Sequence, residues 1–319
     1  MYCGKGGIIL ALKGKKSTTI KLKKRPFRKD WTLYLLFLPA FIYILLFKLL
    51  PLPGLAIAFK DFNIFEGFFA SEWVGFDHYK ALFTQPRFLK VLVNTLEISF
   101  LKIIILFPLP IILAIMLNEM RNRHYKKAVQ TLIYLPHFLS FVIIHGLFTN
   151  FLSTQGGMVN ELLQAIGIGP INFYSNSWFR FVILLTEGFK EVGWGTIVYL
   201  AALAGVDPQL YEAAEVDGAG KFRQMISITL PSIIPIIALM LTLRVGNILD
   251  AGTEQILVMY NSSVYDTADI IGTLVYREGI GNAQYGFATA VGLFNSIASF
   301  ILIMTANTFS SKVFKRGLW

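Results

Sequence analysis

Two groups of side chains in this sequence have types and spacings suited to chemistry. The first lies in Gly205–Pro231, where four acids (Asp207, Glu212, Glu215, Asp217) stand beside only two bases (Lys221, Arg223). Carboxylates at this density serve acid–base or metal chemistry at a catalytic face, or they capture basic groups and backbone N–H donors of a partner. The punctuation is that of a short helix. Asp207 suits an N-cap and Pro208 the first helical position. Leu210, Ala213, Ala214 and the stem of Asp217 share one stripe, and Gly218 and Gly220 supply the positive φ that ends a helix. A second amphipathic turn runs through Phe222, Met225 and Ile226, and Pro231 opens the next long helix. The alanines let another backbone approach closely. On residues alone, a docking helix and a solvated connection stay equally open.

The second group lies within apolar stretches, where an ionisable residue is costly and marks a functional position by default. Glu187, Lys190, Glu191 and Trp194 recur at spacings of three, four and seven and so share a helical face. At that spacing Glu187 and Lys190 are placed to neutralise each other. Arg244, Asn247 and Asp250 recur every three residues. An aromatic face and a few polar groups set into an apolar wall can hold a polar ligand, so Glu191, Trp194, Tyr199, Arg244, Asn247 and Asp250 are the candidates to line a substrate path. A structural role near the membrane interface is the competing reading for the ionisable ones.

Other chemistries find no footing. His137 and His145 stand eight apart, where a metal pair on a helix wants about four, and His78 and His124 fall in loops. All four read as structural, and no metal ligands are assigned. The lone Cys3 permits no internal disulfide. No G-x-x-x-x-G-K-[ST] phosphate loop is present, because Gly220-Lys221 runs into Phe222 and Gly14-Lys15 into Lys16. No catalytic residue or cofactor is expected in this chain, and energy must come from a partner or an ion gradient.

The elements that would hold these groups follow from composition. Of 319 residues, 55% are hydrophobic and 15% charged, against a usual quarter charged. That excludes a disordered chain, a coiled coil and an ordinary soluble enzyme. Apolar residues come in long blocks rather than in alternation, which argues against an outer-membrane barrel. A bilayer-crossing helix needs about 20 residues. Six segments qualify: about 31–52, 91–117, within 127–161, 179–205, 227–249 and within 278–312. Pro108 and Pro110 are expected to kink the second. Lys and Arg number nineteen before the first segment, in alternate loops and in the tail, against five in the other loops. The rule that cytoplasmic loops are basic then puts both termini inside. The net charge of +10 is thereby a sidedness signal and not a nucleic-acid footprint. The fold class is all-α, a polytopic membrane protein of six transmembrane helices. Residues 1–29 read as a basic cytoplasmic leader, since their charges follow the apolar run Gly6–Leu12 where a signal peptide has them before it. Residues 30–319 form the membrane domain. The segment Asp250–Ala283, with Tyr260, Asn261, Tyr265 and Tyr276, is either an outer docking surface or a re-entrant cap.

The acidic loop also carries a family pattern. Glu212-Ala213-Ala214, three residues, Gly218, nine residues, then Ile228-x-Leu230-Pro231 resembles the EAA motif of ABC-importer permeases. Further matching residues are Asp30-Trp31, Ala58-Phe59-Lys60-Asp61-Phe62, Trp73-Val74-Gly75-Phe76, Asn94-Thr95-Leu96 and Leu117-Asn118-Glu119. They continue through Leu135-Pro136-His137-Phe138, Pro170-Ile171-Asn172-Phe173, Gly193-Trp194-Gly195 and Val291-Gly292-Leu293-Phe294-Asn295. From about residue 28 to Trp319 the chain resembles the maltose-permease-like sugar importers, in their polysaccharide and complex-oligosaccharide subgroup.

The resemblance implies a type I ABC-importer permease fold, paired with a second, similar permease in the cell membrane. Glu212, Ala213, Ala214, Gly218, Ile228, Leu230 and Pro231 would form the docking loop for a cytoplasmic ATPase dimer, which would bind ATP and Mg. An extracellular solute-binding protein would deliver the oligosaccharide. Trp194 falls where such permeases place a sugar-contacting aromatic, and Asn247 lies within one residue of a sugar-contacting Asn. Two other functions compete. An ion-coupled secondary transporter predicts similar halves, and 205–231 has no second copy. A membrane-embedded glycan-processing enzyme needs catalytic acids at one face, and the acids of 207–217 are spaced as in the EAA motif instead.

Overall fold

The structure is a computed structural model that describes residues 31–314. The expected leader at 1–29, with Cys3, and the tail bases Lys315 and Arg316 lie outside those residues. The described chain is helical, apart from a short antiparallel ladder pairing Lys60–Asp61 with Glu72–Trp73. It divides into two compact units, the first ending at Leu55 and the second starting at Ala56. In the first, Trp31–Leu49 is uncharged but for Lys48 and holds no buried residue. The candidate site described below lies in the second.

Among the described residues, four helices are long and apolar enough to cross a bilayer: Trp31–Phe59, Pro86–Glu119, Lys221–Gly246 and Tyr285–Lys312. Three of them contain one wide turn each, at Leu45–Leu49, Lys102–Leu106 and Met225–Thr229. A proline stands two residues after each: Pro51, Pro108 and Pro231. Proline brings no N–H and its ring collides with the preceding turn. A turn closed by bonds reaching five residues back, such as Phe107 N–H to the Lys102 carbonyl (3.2 Å), carries the ladder up to the missing donor. The kink expected at Pro108 is thus a widened turn ahead of it. Pro231 does not open its helix, which already begins at Lys221.

The segment expected to cross within 127–161 is broken. Arg123–Phe138 and Phe141–Leu152 meet at 103°, and counting the pair as one span gives five. Hydropathy does not register the cause. Leu139 is extended after Pro136, and the Ser140 hydroxyl starts a new helix by accepting from the Ile143 N–H (3.4 Å).

Phe179–Ala204 is one helix of 26 residues. At 1.5 Å per residue it reaches about 39 Å, enough for a hydrocarbon core of about 30 Å. Arg180, Glu187, Lys190 and Glu191 give it a lower apolar content than the other four spans. Gly193 lets it lie against the Arg123–Tyr134 helix, since a Cβ there would fall 1.9 Å from the Ile133 carbonyl oxygen.

The segment after helix 221–246 turns back into the protein. Ile256, Met259, Val264, Ala268 and Ile270 are each at most 2% exposed and cluster with Ile98, Phe179, Val182 and Ile183. Burying side chains of this size contributes about 1.5–3 kcal/mol each for the larger ones. Such a core does not bear on whether the outer face of Asp250–Ala283 docks a partner, but it fits a re-entrant cap. Asp269 closes it by accepting from both terminal nitrogens of Arg277 (2.9 Å each).

Candidate functional site

The acidic loop folds as a capped helix, Pro208–Val216. The Asp207 carboxylate accepts from the Gln209 N–H (3.0 Å) and so satisfies a donor left free in the first turn. At the other end Gly218 takes φ +75°, a conformation that costs a side-chain-bearing residue about 1–2 kcal/mol. That turn sends the Ala219 N–H to the Ala214 carbonyl (2.8 Å) and the Gly218 N–H to the Glu215 carbonyl (3.1 Å), a Schellman closure. Gly220 has φ −66° and starts the next helix, so only one of the two glycines meets the expected backbone demand.

Long-range bonds then fix the loop to the start of helix 221–246. Buried Gln224 donates to the Ala219 carbonyl (3.0 Å), and the Tyr211 and Thr229 hydroxyls lie 3.0 Å apart. Lys221 donates to Glu215 (2.8 Å) across the turn, and this bond holds the Glu215 carboxyl below its ordinary 4.5. Glu212 and Ala213 are exposed, Ala214, Ile228 and Leu230 half-buried, and Pro231 exposed. Glu212 makes no hydrogen bond or ion pair with another described residue. A cavity of about 250 Å³ lies beside the helix, lined by Ala214, Asp217, Ala219 and Ile228 among others. The motif residues are therefore held at a surface step on which the carboxylates of Glu212 and Asp217 have no partner among the described residues.

The polar residues of the spans surround two further cavities. Glu191, Trp194, Tyr199 and Arg244 line one of about 240 Å³, with Leu106, Pro110 and Met240 in its apolar wall. Asn247 and Asp250 line a smaller one of about 80 Å³. The two cavities share Glu187 and Arg244. All six residues expected on the path thus sit around one charged partition.

The partition differs from the expected Glu187–Lys190 pair. Glu187 accepts from buried Lys102 and from Arg244 (2.6 Å). Lys102 also donates to the Ala251 carbonyl (2.8 Å) and to Gln255 (2.9 Å), tying the cap to helix 86–119. Lys190 instead donates to the carbonyls of His137 (2.5 Å) and Leu139 (2.7 Å). Those carbonyls lost their helical partners at the 103° break, and a single ammonium covers both. Sequence reasoning passed over Lys102; the signal was its position in the middle of an apolar run, where a charge requires a buried partner.

Next to Lys190, His137 donates from Nδ1 to Glu191 (3.1 Å), and its ring stacks on Trp194 with centroids 4.3 Å apart. His78 bonds the Lys60 carbonyl (2.9 Å). Among the described residues no three His, Cys, Asp or Glu gather as metal ligands would.

Comparison with known proteins adds to this geometry. Residues 106–315 match the family described as "Binding-protein-dependent transport system inner membrane component". The chain is 44% identical over 313 residues to the polygalacturonan/rhamnogalacturonan transport system permease protein YteP of Bacillus subtilis (strain 168), covering 98% of this chain and 96% of that protein. It is 46% identical over 293 residues to protein LplB of the same organism, covering 92% of each. In structure it is similar to a chain of a bacterial alginate ABC transporter solved in complex with an alginate pentasaccharide-bound periplasmic protein. That likeness has a TM-score of 0.84 at 42% identity and covers 91% of this chain and 98% of that one. A chain of a bacterial ABC transporter involved in the import of the acidic polysaccharide alginate matches with a TM-score of 0.83.

Proposed function

Because the chain belongs to the binding-protein-dependent inner-membrane transport family, we propose that it carries acidic oligosaccharides through a six-helix pathway and takes its energy from an ATPase docked on the Pro208–Val216 loop. The chain is a multi-pass membrane protein, the permease component of a sugar or oligosaccharide ABC importer, and a transport subunit that works with a binding protein. The finer parts of the proposal rest on the following.

The broken pair and helix 179–204 join the four apolar helices as the fifth and sixth crossings. The nineteen-to-five distribution of Lys and Arg then puts both termini and the 205–226 loop in the cytoplasm. A second, similar permease completes the pathway, and a cytoplasmic ATPase dimer holds ATP and Mg. The solute-binding protein delivers cargo at the opposite face, near the cap.

One observation carries the docking reading: Glu212 projects, exposed and with no side-chain partner among the described residues, from a helix whose two ends are closed internally and whose Leu210 and Val216 also stand exposed. The acidic cargo is supported by the relatives, whose named cargoes polygalacturonan and alginate are built of sugar acids. The test replaces Glu212 by Ala in the assembled importer. Copurification of the ATPase and uptake of trigalacturonate should both fall by about tenfold, the loss of one charge-assisted bond. Unchanged association with unchanged uptake would remove the docking role.

A further inference from the structure

The three charges of the partition are not equivalent. The three N–H donors of Lys102 are all taken, by Glu187, the Ala251 carbonyl and Gln255, and its side chain is 2% exposed. Arg244 has five N–H donors and spends one terminal nitrogen on Glu187, while 43% of its side chain is open. It stands on the wall of the same cavity as Trp194, a residue 39% exposed. If Arg244 lets go, Glu187 keeps Lys102 and no buried anion is stranded.

The connectivity gives that bond a second meaning. Glu187 is on helix 179–204, which runs into the docking loop, and Arg244 is on helix 221–246, which runs out of it. Among the described residues, Arg244–Glu187 is the one side-chain hydrogen bond between those two helices.

We infer that Arg244 reads the carboxylate of the cargo and that Glu187 occupies it in the empty path. A uronate entering beside Trp194 takes the guanidinium and leaves Glu187 to Lys102. This releases the tie between the two helices that bracket the loop, so that cargo occupancy is transmitted to the ATPase-docking surface. The inference rests on the acidic-cargo reading above.

The test uses the assembled importer in phosphatidylcholine nanodiscs without its binding protein. Saturation-transfer NMR compares trigalacturonate with its carboxyl-reduced form. The native protein should favour the uronate by about tenfold, the worth of a charge-assisted bond, and Arg244→Gln should abolish that preference. Arg244→Lys, which keeps the charge without the fork, should fall between, and it serves in place of Arg244→Gln if that variant does not assemble. Hydrogen exchange of peptides covering 205–226 should rise when native protein meets trigalacturonate. In Arg244→Gln it should start raised and not respond. A native preference that survives substitution of Arg244 overturns the inference and leaves the acidic cargo standing. A native protein that prefers the reduced sugar overturns both, and one that binds neither sugar overturns the inference. A loop that does not respond in the native protein removes the transmission.

Discussion

Glu212 and Glu187 are glutamates on neighbouring helices, one on the docking loop and one on the helix leading into it, and they live under opposite conditions. Glu187 is buried and serves two cations on two other helices. Glu212 is exposed and serves nothing within the described chain. The difference teaches what a carboxylate is for in each place. A buried one is bound into the fold by what its loss would strand, whereas an exposed one on a fully capped helix contributes to a surface that something else must read.

The largest expected effect tests that division directly. Glu187→Gln leaves the Lys102 ammonium buried without its carboxylate and should destabilise the importer by about 3–5 kcal/mol, whereas Lys102→Met leaves Glu187 paired with Arg244 and should cost less. Glu212→Ala should stay within about 0.5 kcal/mol, as surface changes usually do. Chemical denaturation of the solubilised complex, followed by tryptophan fluorescence, measures both. Combining Lys102→Met with Glu187→Gln should recover part of the loss, because both buried charges are then gone. Equal losses for Glu212→Ala and Glu187→Gln would erase the contrast.

How far each region was legible in the sequence follows from the reach of its bonds. The loop could be read because its closures are local: Asp207 to Gln209, Ala219 to Ala214, Gly218 to Glu215. Its motif and the apolar content of the spans carried the family, the fold class and the transport function. The partition could not be read, because Glu187 meets Arg244 57 residues away and Lys102 from another helix. Spacing offered Lys190 as the partner, and what outbid it was a pair of carbonyls freed by a break the hydropathy of 128–160 does not register. The six candidate path residues were picked individually from their types and spacing. That they share one partition depends on helix packing, which spacing along the chain does not give.

Lys190 gives the intermediate effect. Replacing it by Met leaves the carbonyls of His137 and Leu139 short of a donor, at roughly 1–3 kcal/mol for an unsatisfied buried group. Both residues are only half-buried, so water can replace part of the loss and the lower end is expected. Hydrogen exchange should rise in peptides covering 135–152 and remain as before in the docking loop. Lys190→Arg, with its charge retained, should restore much of the protection. If loosening spreads to 205–226, the bend and the loop form one cooperative unit and the contrast between fold and docking surface must be drawn elsewhere.

The smallest effect lies on the loop itself, at Glu215 and Lys221. Both side chains are more than half exposed, so the pair contributes little to the fold. Its sign is nonetheless fixed. The bond from Lys221 lowers the Glu215 carboxyl below 4.5 in the folded loop. The contribution is therefore complete above about 4.5 and is lost as pH falls through the lowered folded value. Hydrogen exchange of the Gly218–Gln224 peptide, corrected for intrinsic rate, should show a slight loss of protection between pH 5 and pH 3 in the native protein, and none in Lys221→Gln. ATPase copurification at neutral pH should hold in Lys221→Gln, because the Gly218 turn is closed by backbone bonds and by Gln224, not by the ion pair. If Lys221→Gln instead costs as much docking as Glu212→Ala, the Glu215–Lys221 pair belongs to the surface the ATPase reads, and the bare carboxylate of Glu212 is not the whole of it.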